Sequence, residues 1–246
     1  MDLDMDFEVK QVFYSYGKTL ALDGISFSAS RGQIVGLVGE NGAGKSTIIN
    51  NIYRFLKPDR GFITLDGRDI FSYPIENYPV SYIPDVPVFY EELSLLEHLY
   101  FTKAIYPRGS ISIDELLEKL DMKEHLNKIP AALSKGTRQK LMVAMALMRE
   151  YDLLIADEPF SGLDPKQIAS LKALLIEQKQ NGKIVLLSSH LLDVTENICD
   201  QYVVLKNGKC LLSGTKEDLL LATHLPAGST MEAIYLGLVE QDEVSS

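Results

Sequence analysis

The run Gly39-Glu40-Asn41-Gly42-Ala43-Gly44-Lys45-Ser46 constrains this chain more than any other stretch. It fits the pattern G-x-x-x-x-G-K-[ST], and its surroundings fit as well. The short apolar run Gln33-Ile34-Val35-Gly36-Leu37-Val38 precedes it, and apolar residues at helical spacing follow from Ser46 to Leu56, ending at Pro58. Strand, glycine-rich turn and helix in that order make a phosphate cradle. Glycines let the backbone curl so that successive N–H groups face the phosphates, and the helix starting near Lys45 turns its positive dipole end towards them. In such a cradle Lys45 reaches the β- and γ-phosphates and Ser46 ligates Mg²⁺. Gly39, Asn41, Gly42, Ala43, Gly44 and Thr47 complete the expected contacts to the nucleotide phosphates.

A second apolar run, Leu153-Leu154-Ile155-Ala156, ends in Asp157-Glu158. If it is a strand of the same parallel sheet, both carboxylates stand at the carboxyl edge, where open α/β folds bind ligands. Asp157 then suits the Mg²⁺ shell, and Glu158 suits orientation or deprotonation of an attacking water. Taken alone, an apolar run followed by Asp-Glu is usually a strand ending in solvent. The phosphate cradle upstream gives it meaning.

The remaining pattern frames these motifs. Phe7 to Phe27 alternates apolar and polar residues around Gly17 and Gly24, as a small antiparallel sheet does. Pro84 to Glu150 switches to helical periodicity, through Leu95-Leu96, Leu99-Tyr100, Leu116-Leu117, Leu120 and Leu141 to Met148, and reads as a separate helical lobe. Parallel strands resume with Leu153 to Ala156 and Ile184 to Leu187, separated by a helix from Pro165 to about Lys179 that stops at Asn181-Gly182. Met231 to Leu238 reads as a last amphipathic helix before an acidic tail. The expected organisation is one domain over 1–246: a core with its β subdomain over about 1–83 and 151–223, a helical subdomain over about 84–150, and a C-terminal helix and tail over about 224–246.

Bulk composition excludes several classes. With 246 residues, 46% hydrophobic and 24% charged, the chain has globular composition and ample length for a core. A formal net charge of −10 argues against nucleic-acid binding, which rests on clustered Lys and Arg. No stretch approaches the roughly 18 to 20 apolar residues that span a bilayer. The start, Met1-Asp2-Leu3-Asp4-Met5-Asp6, is acidic where a secretory signal is basic and then apolar. Two cysteines, Cys199 and Cys210, fit no metal or redox spacing and are expected to behave as apolar residues of a reducing compartment.

The string Asp157-Glu158-Pro159-Phe160-Ser161-Gly162-Leu163-Asp164-Pro165 resembles the Walker B and D-loop run of ATP-binding-cassette (ABC) ATPases. Other family motifs follow in order: Tyr16 resembles the aromatic that stacks on adenine, Leu133-Ser134-Lys135-Gly136-Thr137 the signature loop, and Ser189-His190 the switch histidine. The resemblance implies an α/β fold, a P-loop NTPase cassette with a RecA-like core, an N-terminal antiparallel β subdomain and an inserted helical subdomain. It implies that Ser134 and Gly136 act on ATP held by an opposite subunit and that His190 donates to the γ-phosphate. Without the family, Ser134 reads as a helix cap, Tyr16 as core or sheet surface, and His190, like His98, His125 and His224, as structural.

Two departures from the family pattern stand out. Asp85, in Ser81-Tyr82-Ile83-Pro84-Asp85, occupies the place of the usual Gln; it accepts from Mg²⁺-bound water but cannot donate as an amide does. Lys135 and Thr137 replace the usual Gly and Gln, adding a cation beside the expected γ-phosphate site. Together with Tyr90-Glu91-Glu92-Leu93-Ser94 and Glu158-Pro159-Phe160, these stretches look most like the Ecs-type branch of bacterial ABC exporters of the ABC-2 kind. What that implies is an ATP-hydrolysing motor, peripheral on the cytoplasmic face of the membrane, that pairs as a homodimer or mixed pair of cassettes and drives integral-membrane subunits. The alternatives are a soluble ABC protein of ribosomes or DNA, which predicts tandem cassettes or basic patches, and a catalytically weak regulatory cassette, which Asp85 and Lys135 motivate.

Overall fold

The structure, a computed structural model, describes residues 6–109 and 111–245. Of the acidic start only Asp6 lies among them. In chain order the first elements are β1 (Phe7–Tyr16), β2 (Thr19–Ala29), β3 (Ile34–Val38), α1 (Lys45–Ile52), β4 (Arg60–Leu65), β5 (Arg68–Asp69) and β6 (Val80–Ile83). Three helices follow without a strand: α2 (Leu95–Ile105), α3 (Ile113–Lys119) and α4 (Lys135–Leu147). The chain then runs through β7 (Leu153–Asp157), α5 (Pro165–Gln180), β8 (Ile184–Ser189), α6 (Leu192–Thr195), β9 (Gln201–Lys206), β10 (Lys209–Gly214), α7 (Lys216–Thr223) and α8 (Met231–Ser245).

Two sheets result. β2-β1-β4-β5 is antiparallel, and β10-β9-β3-β8-β7-β6 is parallel except for the β9–β10 hairpin. The uninterrupted apolar runs of β3, β7 and β8 follow from cover on both faces. On one face Val35, Leu37, Leu153, Ile155, Ile184 and Leu186 pack with Ile48, Ile49 and Ile52 of α1 and with the inner side of the antiparallel sheet. On the other, Ile34, Leu154, Ala156, Val185 and Leu187 join Leu95, Leu99, Leu141 and Val143 of the inserted helices and Leu171 and Leu175 of α5 in one cluster. The inserted helices therefore share the apolar core of the sheet. A third cluster holds α8 against Val38, Tyr202 and Val204.

Local chemistry sets the helix ends. Ser94 and Glu97 form a capping box at α2, and Asp164 with Gln167 does the same at α5 behind Pro165. Helix α1 stops at Ile52, short of the Leu56 that periodicity suggests, because Arg54 takes a left-handed φ of 69°. His98 is fully buried; its Nδ1 lies 2.8 Å from the Ser94 carbonyl and its Nε2 accepts from the Tyr90 N–H at 3.1 Å, a structural role. Both cysteines are unpaired, and burial pushes their thiols up, that of Cys210 to about 11. Among the described residues no helix is long and apolar enough to cross a membrane.

The antiparallel sheet bends where β1 bulges. Gln11 has a φ of 48°, the β1–β4 register shifts between Lys10 and Phe13, and a Cβ on Gly61, whose φ is 85°, would collide with the Gln11 carbonyl oxygen. Gly61→Ala is therefore expected to lower stability by at least about 2 kcal/mol. The urea midpoint measures it, with Gly67→Ala, where a Cβ meets open space but φ is 69°, as the control for backbone strain alone.

Candidate nucleotide-binding and hydrolysis site

The parallel register brings the sequence motifs to one edge. Val38, the last residue of β3, pairs with Ser189 of β8, and Ser188 pairs with Asp157 of β7. The phosphate loop after Val38, the Asp157-Glu158 pair and His190 thus leave the sheet side by side. The loop is shaped by what surrounds it. Gly42 and Gly44 have φ of 85° and 108°. Gly39 allows close approach, since a Cβ there would stand 2.5 Å from the Leu205 carbonyl oxygen. Helix α1 begins after Gly44 with no side-chain cap and no acidic residue in its first turn, which leaves its N-terminal N–H groups directed at the cleft.

Lys45 is buried, and its ammonium donates to the carbonyls of Gly39 at 2.6 Å and Glu40 at 3.2 Å. Burial pulls its pKa below the ordinary lysine value, against the opposing pull of Glu158 and Asp157. Its ammonium lies 4.0 Å from Glu158 Oε1. Asp157 is buried as well, and its carboxylate accepts from the Ser188 hydroxyl at 2.5 Å and the Tyr82 hydroxyl at 3.3 Å. Burial, then the charges of Asp85 and Glu158, raise its pKa above the usual carboxylate range against the Ser188 and Tyr82 bonds.

Glu158 adopts a left-handed φ of 47°, a costly conformation for a side chain of this size. Its amide donates to the Ser188 carbonyl at 3.2 Å and hydroxyl at 3.0 Å, which fixes the turn. Its carboxylate is consequently aimed at His190, whose Nδ1 lies 2.8 Å from Glu158 Oε2. The imidazole is half exposed while the carboxylate is largely covered.

A cleft of about 540 Å³ is lined by Tyr16, Asn41, Gly42, Gly44, Lys45, Ser46, Thr47, Asp85, Asp157 and Glu158. Gly39 and Ala43 sit behind that lining, and His190 joins it through Glu158. Tyr16 is half exposed at the end of β1, edge-on to Tyr14 with ring centroids 5.0 Å apart. Ser134 and Gly136 do not line this cleft. Ser134 caps α4, its Oγ accepting from the Thr137 N–H at 3.1 Å. Gly136 packs on Gln167, and the Lys135 side chain lies over Gly162. Within one chain the 133–137 loop therefore faces the 162–167 segment.

Sequence reasoning missed several residues. Ser188 and Tyr82 each bond Asp157, and neither carries a local signal: both are polar residues within apolar strands. Gln139 of α4 donates to the Pro159 carbonyl at 3.2 Å, tying the inserted helices to the segment after Glu158. Asn207-Gly208 also lines the cleft; with φ of 48° and 78° it is the Asn-Gly turn of the β9–β10 hairpin, a signal that was there to be read.

The donor set fits Mg-ATP. One buried lysine, an uncapped helix start and a glycine-lined loop suit phosphates. Among the described residues no three His, Cys, Asp or Glu side chains form a closed metal cage. Mg²⁺ is held by one or two carboxylates with phosphate and water supplying the rest, so Ser46, Asp157 and Asp85 suit it. Without such a cation, Asp157 is a buried carboxylate beside two others. Asp157→Asn is accordingly expected to raise the thermal midpoint of the nucleotide-free protein by a few degrees, about what relief of one buried charge gives, while lowering Mg²⁺-dependent hydrolysis. Its folded pKa being raised, the stability that protonated Asp157 contributes is present below its unfolded pKa and lost as pH rises through the folded one, so the advantage of the Asn variant grows over that rise. Scanning calorimetry across acid to neutral pH measures it.

Comparison with known proteins agrees with this geometry. The family model described as ABC transporter matches residues 22–161. The ABC-type transporter ATP-binding protein EcsA of Bacillus subtilis is 38% identical over 240 residues, covering 95% of this chain and 96% of that protein. The uncharacterized ABC transporter ATP-binding protein YthP of the same organism is 31% identical, covering 94% and 95%. A solved structure titled as the ATP binding subunit of an ABC transporter superposes with a TM-score of 0.86 at 38% identity, over 95% of this chain and 99% of its own. Together with the phosphate loop, the Asp157-Glu158 pair and the shared fold, these relatives show that the chain belongs to the ABC transporter ATP-binding family.

Proposed function

We propose that the chain is the ATP-hydrolysing motor subunit of a bacterial ABC exporter, peripheral on the cytoplasmic face of the membrane, in which two copies close on two ATP molecules and move separate membrane subunits. The observation that carries hydrolysis is the Glu158–His190 contact at 2.8 Å beside buried Lys45, because binding alone needs neither a poised carboxylate nor its imidazole partner. Lys45 and the loop N–H groups bind the phosphates, and Tyr16 offers its ring to the adenine. Glu158 orients the attacking water and takes its proton. His190 keeps Glu158 in place through Nδ1; with that nitrogen committed, Nε2 donates to a phosphate oxygen when the imidazole carries both protons. Bound Mg²⁺ supplies neutralisation of the charge that develops on the phosphates.

Two observations support the assembly. Ser134 and Gly136 stand outside the cleft of their own chain, which suits a loop that completes the site of a second copy. A groove of about 310 Å³ lined by Tyr53, Tyr82, Val88, Tyr90, Phe101 and Met142 lies where the inserted helices meet the core, with Val88 and Tyr90 strongly exposed. An exposed apolar patch of this kind suits docking of a membrane subunit. Export is the reading supported by the likeness to the Ecs-type branch.

Glu158→Gln keeps the shape of the side chain and removes its basicity. It is expected to lower phosphate release by about 100-fold or more while ATP binding, measured by equilibrium titration, stays at the wild-type value. Hydrolysis by the variant at the wild-type rate would remove Glu158 from the role assigned to it. Recovery of the native complex in mild detergent tests the rest: a co-purifying integral-membrane protein is expected, and ribosomes in its place would overturn the transporter assignment.

A further inference from the structure

The strand that supports the phosphate loop is tied to the C-terminal helix through one side chain. Lys206 ends β9 with its side chain 16% exposed. Its ammonium has three acceptors on α8: the Val239 carbonyl at 3.3 Å, the Asp242 carboxylate at 3.2 Å and the Glu243 carboxylate at 3.0 Å. The residues beside it carry the loop. Gly39 rests against the Leu205 carbonyl, with room for no Cβ. The Gly208 N–H donates to the Ala43 carbonyl at 3.0 Å, the Gly208 carbonyl accepts from the Asp23 N–H at 2.7 Å, and Asn207 and Gly208 line the cleft. Helix α8 also meets the loop from its strand side. Val38, immediately before Gly39, is clustered with Ile234, Tyr235 and Leu238, and the Glu40 backbone faces the Tyr235 hydroxyl.

These contacts make a short route from α8 to the phosphate cradle: Asp242 and Glu243 to Lys206, Lys206 along the chain to Asn207-Gly208, and Gly208 to Ala43. A partly exposed ion pair adds little to global stability. Its geometric effect is larger, because phosphate affinity depends on N–H groups already aligned before the ligand arrives. We propose that Lys206 is a positioning residue of the nucleotide site, tying the 205–208 segment under the phosphate loop to α8, so that the seating of α8 sets the affinity for ATP. The proposal rests on the reading of the cleft as the ATP site. It assigns a role to the acidic end of α8, whose Asp242 and Glu243 are 37% and 66% exposed and so open to charge changes from outside.

The test compares the full-length wild type with Lys206→Met, with the α8 double variant Asp242→Asn/Glu243→Gln, and with the triple variant. ATP affinity is read by equilibrium titration without turnover, and the thermal midpoint is read in parallel. Lys206→Met is expected to weaken ATP binding by about tenfold, below the roughly hundredfold that a ~1 Å misplacement of a reacting group costs. The double variant, which changes nothing in the cleft, is expected to reproduce most of that loss, and the triple variant to bind no more weakly than Lys206→Met, as members of one linkage do. A purely structural role would lower the thermal midpoint and leave the affinity of the folded protein unchanged. Wild-type affinity in the double variant would overturn the proposal, and that variant decides even if Lys206→Met fails to fold. A wild type that does not bind ATP would overturn the site assignment and this proposal together, whereas normal binding by every variant overturns this proposal alone.

Discussion

Parallel pairing of β3, β8 and β7 is the constraint on which the rest depends. With Val38 opposite Ser189 and Ser188 opposite Asp157, the three strands end together, and the phosphate loop, the Asp157-Glu158 pair and His190 leave the sheet along that line. A slip of one residue would turn Leu153 and Ile155 away from α1 and carry Asp157 to the opposite face. The register is locked because both faces are buried: α1 and the antiparallel sheet cover one, α5 and the inserted helices the other. Core packing and site geometry are therefore one specification.

The site itself is under electrostatic tension. Asp85, Asp157 and Glu158 share a cleft with one buried ammonium, that of Lys45, whose own pKa is pulled down by burial. The Glu158 backbone is strained, and its amide needs both the carbonyl and the hydroxyl of Ser188 to hold the turn. Such an arrangement is poor for folding and well suited to a metal-bound phosphate ligand, whose cation offsets the carboxylates while its phosphates meet Lys45 and the loop N–H groups. Asp85 fits this picture as a third carboxylate lining the cleft. Lys135 fits differently: in the single chain it covers Gly162 of its own D-loop.

The phosphate loop, the Asp157-Glu158 edge and the long amphipathic segments were legible in the sequence because each has a local cause: glycines at left-handed positions, apolar runs of strand length, and helical spacing with cap residues. Their order gave a parallel α/β sheet around an inserted helical lobe, and the cassette fold came from the family resemblance. Strands β4, β9 and β10 were not read; β4 has the bulge partner Gly61 within it, and β10 is only partly buried, so neither shows clean alternation. Ser188, Tyr82 and Gln139 were beyond reach for another reason: their roles exist only across pairings of distant segments. Tyr16, Ser134 and His190 acquired meaning through family resemblance, and their local geometry alone matches the plainer readings of strand end, helix cap and surface imidazole with a carboxylate neighbour.

On the proposed function, this cleft is half of a working site, completed by the loop around Ser134 and Gly136 of a second copy. Solution mass settles it most directly: light scattering of Glu158→Gln protein with Mg-ATP and with Mg-ADP. The expected result is the mass of two chains with ATP and of one with ADP, and reversion to one chain for Ser134→Arg in the ATP sample. A single-chain mass with ATP bound at full occupancy, whether or not a membrane partner is present, would contradict it.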